Sequence, residues 1–386
     1  MEPLRGNDIR QQNEKLVLNI IHKSEGISQS EVVQLTGLKP PTVFHIFSSL
    51  ESEGFIEVCE KKVEGAERKG RRPVYYQVKA GARYIVGIDF WVGSASVVVV
   101  DFSGTPVYEN VTEFPVPLDA DQVTEELKNL VGNALANSNV DREKVLGIGI
   151  GAPGRVDIEN GVVLYYGRIP GMRKYSIKDP VEQAFGLPVY LHNNSAVVAL
   201  SEYRYGVARE HESLLTVLIR TGVGGSFITG GDIFVTNNQT TLEIGHMLVE
   251  MEGRQCGCGR RGCVEPYVSE DAILTDLEPV TGSVSVEELD EKIAAGESAV
   301  LDVLEQKAGI LAEGMRSLFQ LFGPDSFLIV TRSKELSDFL SARVRAMLTC
   351  EPNGHSEEEC AVMACKYDPI LAGIGAADLV LDHFFS

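Results

Sequence analysis

The chain of 386 residues lacks an uninterrupted apolar run of about 18 residues, the length that a membrane-spanning helix needs. Its first segment, MEPLRGNDIRQQNEK, is polar and lacks the apolar core of a secretion signal. The seven cysteines are an odd number, which fits a reducing compartment better than a framework of disulfides. These absences predict a cytoplasmic protein without a membrane span.

Basic residues are also outnumbered by acidic ones, with 35 Lys/Arg against 55 Asp/Glu and a net charge of −20. Residues 1–80 carry 12 Lys/Arg and 11 Asp/Glu, a net of +1, while the remainder carries 23 and 44, a net of −21. An acidic surface repels nucleic acid. We therefore expect only residues 1–80, called the head below, to approach a phosphate backbone. The rest of the chain, called the body, has the length and apolar content of one or two further globular domains.

The head has the order helix, helix, tight turn, helix and strand. Helices are predicted at 7–23, 28–36 and 42–53, with Ser28 and Glu31 forming a capping box and Gly37 ending the second helix. The third helix would bury four apolar residues on one face, namely Val43, Ile46, Phe47 and Leu50. This order is typical of a helix-turn-helix module.

A β-hairpin wing is predicted after the third helix. Residues 55–58 begin a strand, residues 61–72 are basic and glycine-rich, and residues 75–78 can return as the partner strand. Arginines beside glycine and proline are suited to a narrow minor groove. We expect base edges to be contacted by Thr42, His45 and Ser49. Phosphates or the minor groove would be contacted by Lys39, Arg71 and Arg72. The alternative is a small three-helix docking module with a solvated basic loop, since helix-turn-helix patterns alone are weak signals.

A second pattern lies between Glu243 and Glu265 and has the form H-x9-C-x-C-x4-C. Its members are His246, Cys256, Cys258 and Cys263. One imidazole and three thiolates form a soft set of four ligands suited to tetrahedral Zn²⁺. Because no ligand position is left open, the pattern predicts a structural zinc ion. The alternative is a loop with ordinary free thiols, which fits glycine-separated cysteines less well.

The same stretch resembles the E-x-G-H…C-x-C-G-x-x-G-C-x-E motif of the ROK family, which comprises repressors, open reading frames and sugar kinases. The resemblance continues in GIGIGAPGRVD at 147–157, in DPILAGIGAA at 368–377 and in the GRRP element of the wing, and so covers nearly the whole chain. It implies an α/β body with an actin-like, ribonuclease-H-like fold of two lobes around a cleft. The implied domains are the winged head at 1–80, a first lobe at 82–192 with 369–386 packing back onto it, and a second lobe at 193–368 that carries the zinc loop.

The resemblance also implies a sugar site. Glu243, His246 and Glu265 would present polar atoms to sugar hydroxyls, with the zinc loop fixing their positions. Asn193 and Asn194 would complete the sugar side of the cleft. The alternative is that these polar groups only support the fold of a degenerate kinase that binds nothing.

Three requirements of an active sugar kinase are not met. Family kinases carry D-x-G-G-T for the nucleotide phosphates, whereas here Trp91 and Val92 stand where the two glycines belong. The catalytic base of the N-D motif is replaced by Asn194, an amide that cannot accept a proton. The late Gly-Gly is replaced within residues 331–333, and the glycines retained at 221–225 are equally explained as a tight turn. We therefore expect no enzymatic activity and no catalytic residue.

The sequence thus predicts a sugar-responsive transcriptional regulator, a repressor by family resemblance, that binds operator DNA as a homodimer or tetramer. One alternative is an active ATP-dependent kinase of hexoses or N-acetylhexosamines with a DNA-binding head. Another is a regulator controlled by a protein partner. The evenly spaced Cys350, His355, Cys360 and Cys365 do not match a zinc motif, and the three cysteines among them are predicted to be packing residues.

Overall fold

The computed structural model describes residues 6–61, 73–238, 240–349 and 360–386. The head contains α1 (Gly6–His22), β1 (Ile27–Ser28), α2 (Gln29–Thr36), α3 (Pro40–Ser52), β2 (Ile56–Cys59) and β3 (Tyr75–Val78). The next elements are β4 (Tyr84–Trp91), β5 (Ser94–Asp101), β6 (Pro106–Glu113), α4 (Ala120–Asn137), β7 (Val145–Ala152), β8 (Arg155–Asp157), β9 (Val162–Tyr165), β10 (Tyr175–Ser176), α5 (Lys178–Phe185), β11 (Val189–Asn193) and α6 (Asn194–Arg204). They are followed by β12 (Ser213–Ile219), β13 (Val223–Thr229), β14 (Asp232–Ile233), α7 (Glu265–Val268), α8 (Glu270–Thr281), α9 (Val286–Ala294), α10 (Ser298–Phe322), β15 (Ser326–Thr331), α11 (Lys334–Thr349), β16 (Ala361–Lys366) and α12 (Pro369–Phe385).

The head packs three helices against a three-stranded sheet of order β1-β3-β2. Ser28 accepts the backbone N–H of Glu31, whose side chain accepts the N–H of Ser28, so the predicted capping box is present. Gly37 ends α2 with a φ of 68°, a left-handed conformation that glycine adopts without strain. Helix α3 starts at Pro40, two positions earlier than predicted, because proline fits the first turn of a helix.

The predicted wing is described only in its strands. β2 and β3 pair in antiparallel fashion, with Ile56 opposite Val78. The loop between them, with Arg71 and Arg72, lies outside the described residues.

Two five-stranded mixed sheets form the centre of the body, as the α/β prediction required, and β8, β9 and β10 form a small third sheet. The first has the order β11-β7-β4-β5-β6 and the second has the order β14-β13-β12-β15-β16. We call the elements built on them the first and second lobes. Successive residues of a strand face opposite sides of a sheet. In β4, Val86 and Ile88 accordingly join the core under α4, while Ile85 joins a core shared with α12.

Helices α6 and α12 lie between the two sheets, and α12 makes unusually close contact with the first. A Cβ on Gly87 would lie 2.0 Å from the carbonyl oxygen of Gly373, and one on Gly149 would lie 1.7 Å from that of Ala376. A Cβ on Gly375 would lie 2.0 Å from the carbonyl oxygen of Val197 in α6. Only glycine at these positions allows backbone to rest on backbone.

The head is joined to the body by a cluster of aromatic rings. Phe55 of the head packs against Phe102 of the first lobe and Phe384 of α12, with ring centroids 5.9 and 6.4 Å apart. His22 of α1 contacts Phe102 and Phe385 at 5.4 and 5.3 Å. One apolar core therefore runs from α1 and β2 into β5 and α12. Among the described helices, none is long and apolar enough to cross a membrane.

Candidate functional site

A cavity of about 840 Å³ lies in the cleft between the two lobes. All five residues predicted to contact a sugar line it, namely Asn193, Asn194, Glu243, His246 and Glu265. Three aromatic residues, Trp91, Tyr165 and Tyr166, also line it. A cleft that combines convergent polar groups with apolar surface is the usual form of a small-molecule site.

Two of these residues come from the junction of β11 and α6. Asn193 caps α6, because its Oδ1 accepts the backbone N–H of Ser195 at 2.8 Å. Its Nδ2 donates to the carbonyl of Gly154, so the side chain is held at both ends. Asn194 is the first helical residue, is buried and faces the cavity. The start of α6 therefore presents a fixed edge of the site.

The carboxylates come from the opposite lobe. Glu265 begins α7, and its Oε2 accepts the backbone N–H of Val223 at 3.1 Å. Glu243 has an Oε2 3.9 Å from Nε2 of His246. Burial raises the pKa of Glu243, and the nearby His246 and Arg155 oppose that increase. These acceptors face the two asparagines across the cleft.

The predicted metal ligands form a cluster. His246 Nδ1 lies 3.6 Å from Cys256 Sγ, and Cys258 Sγ lies 3.7 Å from Cys263 Sγ. All four ligand atoms lie within 4.8 Å of one another. The loop closes tightly, since a Cβ on Gly262, whose φ is 76°, would lie 1.6 Å from the carbonyl oxygen of Glu250. This cluster could hold a metal ion.

His246 links the cluster to the cavity. Its Nδ1 faces Cys256, while its Nε2 faces Glu243. The imidazole is thus shared between two sites. An ion bound at one nitrogen would fix the orientation and tautomer of the other.

The loop that carries the three cysteines is anchored by polar contacts that were not predicted from the sequence. Asp276 of α8 accepts both Arg254 of the loop, at 2.9 Å, and Lys307 of α10, which is 3% exposed. Tyr267 donates to Glu250 and accepts the N–H of Arg254. A buried lysine in the helical pattern of α10 gives no local signal of this partner.

A second missed cluster bridges the lobes beside the cavity. Arg220 directly follows β12, and its Nη1 lies 3.3 Å from Oδ2 of Asp89 in β4. Its guanidinium stacks 3.9 Å from the ring centroid of Trp91 and 4.6 Å from that of Tyr367. Tyr367 donates a 2.6 Å hydrogen bond to Asp89. Burial raises the pKa of Asp89, and Arg220 opposes that increase. We call these four residues the interlobe clasp.

The remaining kinase-like positions have structural roles. Gly222 lies in the turn between β12 and β13, whereas Gly224 and Gly225 belong to β13, and a Cβ on Gly225 would lie 1.7 Å from Ile244 Cδ1. After β15, Arg332 pairs with Glu270 at 2.6 Å and Ser333 donates to Asp290. Cys365 of β16 has its Sγ 3.4 Å from Glu202, while Cys350 and His355 lie outside the described residues.

On the head, α3 buries Val43, Ile46, Phe47 and Leu50, the four residues predicted from their spacing. Those of the predicted DNA contacts that the structure describes lie on the remaining surface: Lys39, Thr42 and His45 are exposed, and Ser49 is half-buried. Phe44 was not predicted as a contact and is 56% exposed.

Comparison with known proteins agrees with both parts of the molecule. The model of the ROK family matches residues 85–383, and a model of winged helix-turn-helix DNA-binding domains matches residues 10–57. The xylose repressor of Bacillus subtilis (strain 168) is 24% identical over 378 residues, covering 97% of this chain and 96% of the repressor.

Solved structures show the same fold. A ROK family transcriptional regulator, described as a homolog of the E. coli MLC protein, covers 98% of this chain and 97% of its own, with a TM-score of 0.82 and 21% identity. A ROK family glucokinase from Streptomyces griseus, in complex with glucose and AMPPNP, covers 78% of this chain and 99% of its own, with a TM-score of 0.68 and 25% identity.

Proposed function

The chain belongs to the ROK family, and on that basis we propose that it is a cytoplasmic, sugar-responsive transcriptional repressor. The observation that carries the proposal is the union, in one chain, of a winged helix-turn-helix head with a ROK body whose cleft is lined by polar groups. The proposal assigns DNA binding to residues 1–80. It assigns sugar binding to the cleft between two lobes, the first formed by residues 82–192 and 369–386 and the second by residues 193–368.

The effector in this proposal is a sugar or sugar derivative of carbohydrate metabolism. Asn193 and Asn194 on one side, and Glu243, His246 and Glu265 on the other, offer donors and acceptors to hydroxyl groups across the cleft. The Bacillus subtilis relative is a xylose repressor, which supports the class of effector. Sugar binding would draw the lobes together and shift the protein between arrangements with different DNA affinity.

The metal in this proposal is a structural Zn²⁺ held by His246, Cys256, Cys258 and Cys263. At a zinc–sulfur distance of about 2.3 Å, two sulfurs of a tetrahedral site lie about 3.8 Å apart. The 3.7 Å between Cys258 Sγ and Cys263 Sγ matches that edge. The ion would fix the turn and hold the Nε2 side of His246 toward the cavity.

Kinase activity is not part of this proposal. In the clasp, Arg220 stacks on Trp91 beside Asp89, at the position where the family resemblance implies a glycine turn for phosphates in kinases. Asn194 cannot act as a general base. One of the similar structures is a glucokinase, so the alternative of an active sugar kinase is tested directly below.

The test uses the purified full-length protein. Duplexes that bind it are selected from a random-sequence library, and their affinity is measured with and without a panel of pentoses, hexoses, N-acetylhexosamines and their phosphates. We expect the selected duplexes to contain two half-sites in palindromic order. The reason is that two helix-turn-helix heads of a dimer or tetramer bind DNA together, one head to each half-site. We also expect one sugar both to raise the melting temperature and to weaken DNA binding.

The same panel with ATP separates the alternatives. Sugar-dependent release of ADP would establish a kinase and refute the proposal. Specific DNA binding that no sugar alters would instead favour control by a protein partner.

A further inference from the structure

Phe44 stands out on α3, the second helix of the helix-turn-helix pair, because it is a large apolar side chain that this helix leaves in solvent. The apolar core of the head takes Val43, Ile46, Phe47 and Leu50 and leaves Phe44 56% exposed. Its one described ring contact is with the neighbouring His45, at 6.0 Å between centroids. The fold of the head therefore does not account for an aromatic residue at this position.

The joint between head and body does not account for it either. That joint uses His22 and Phe55, which pack on Phe102, Phe384 and Phe385. Phe44 does not belong to this core, either as a buried member or as a packed neighbour. Phe44 is instead exposed to solvent, as its neighbours Thr42 and His45 are.

The surroundings of Phe44 fit the major groove of DNA. Thr42, His45 and Ser49 offer polar atoms to base edges, and the exposed Lys39 at the start of α3 can meet a phosphate. Among base edges in that groove, the 5-methyl group of thymine is the apolar feature, and side chains such as phenylalanine contact it.

Building on the proposed DNA-binding function, we propose that Phe44 packs against the 5-methyl group of a thymine in each operator half-site. The ring thereby selects thymine over cytosine at one position, next to the base contacted by His45. The proposal makes Phe44 a specificity-determining residue, since one apolar contact adds no charge and changes affinity only where the methyl group is present.

The experiment removes the methyl group alone. A duplex selected by the full-length protein is resynthesised with deoxyuridine in place of each thymine in turn, and binding is measured by fluorescence anisotropy. Removing one buried methyl group should weaken binding of the wild type roughly three- to fivefold at one position of the half-site. Other thymines should show little effect.

Variants then assign that effect to Phe44. Phe44→Ala should bind the thymine duplex as weakly as the wild type binds the deoxyuridine duplex, and should no longer distinguish the two. Phe44→Leu should keep part of the discrimination. Leu16→Ala is the matched control, because Leu16 is 45% exposed on the head but lies on α1. It should retain the wild-type discrimination.

Three outcomes would overturn the proposal. Deoxyuridine sensitivity that persists in Phe44→Ala would show that another residue contacts the methyl group. Unchanged sequence selectivity together with a changed oligomeric state would show that Phe44 packs against a second copy of the chain. Failure of the wild type to select any sequence would refute the DNA-binding function itself, which distinguishes it from failure of this inference alone.

Discussion

The interlobe clasp allows a sharp test of how the cleft is held together. Replacing Arg220 by methionine removes the cation but keeps much of its volume between Trp91 and Tyr367. Asp89, which is 1% exposed, would then be a buried carboxylate without its cation. Removing one partner of a buried ion pair typically costs about 3–5 kcal/mol, because the remaining charge is uncompensated.

The second half of the cycle neutralises the remaining partner. Asp89 Oδ1 and Arg220 Nη2 have no hydrogen-bond partner among the described residues, so the pair is incompletely satisfied. The double variant Asp89→Asn with Arg220→Met removes both charges. We expect it to recover at least about 2 kcal/mol of the loss. The matched control is Arg343→Met, which breaks an exposed pair with Glu305 and should cost no more than about 1 kcal/mol.

The assay is urea unfolding of the full-length protein at pH 7.5 and pH 5, supported by calorimetry. Burial raises the pKa of Asp89. A carboxyl whose pKa is higher in the folded state contributes stability at low pH and loses it as pH rises through that pKa. The deficit of Arg220→Met should therefore be smaller at pH 5. A deficit equal to that of Arg343→Met, or one that neutralising Asp89 does not relieve, would refute the view that the clasp braces the two lobes.

The remaining predictions concern the cleft, the metal cluster and the head. Asn194→Ala should weaken sugar binding about tenfold in calorimetric titration, because a hydrogen-bond donor and an acceptor are lost. Asn194→Asp should gain no ATP turnover, because Trp91 and Arg220 remain in place. Cys258→Ser should lower the zinc content measured by mass spectrometry and abolish the sugar-induced rise in melting temperature, whereas Cys365→Ser, outside the cluster, should change neither. Burial lowers the pKa of His22 below its ordinary value of 6.5. The neutral imidazole therefore favours the folded protein above pH 6.5, and the protein loses this stability as the pH falls below 6.5. His22→Phe should flatten this acid loss in urea unfolding while keeping the contact with Phe102.

Local chemistry made part of this molecule predictable. The capping box at Ser28 and the apolar spacing in α3 depend on neighbours three or four positions away, so the sequence shows them directly. The close spacing of the metal ligands likewise predicted a cluster that the structure brings together. Their roles toward zinc and sugar remain predictions.

The clasp shows why the rest could not be predicted. Asp89 is 131 positions from Arg220 and 278 positions from Tyr367, and only the packing of the two lobes brings them together. Trp91 was expected to obstruct phosphates, but its own sequence context gives no sign that it supports an arginine. Similarly, Phe44 follows the buried Val43, and its exposure depends on which face of α3 meets the core.

The backbone contacts of α12 limit how the molecule can move. Sliding of one packed helix along another element normally relies on side chains that change rotamer at the interface. At Gly87 and Gly149 no side chains intervene, and a shift of α12 by one residue would carry a new Cβ atom into the backbone of β4 or β7. Shear along α12 is therefore sterically blocked. If sugar binding moves the lobes as proposed, we expect the movement to reach the head as a rotation in which α12 and the first sheet turn as one body.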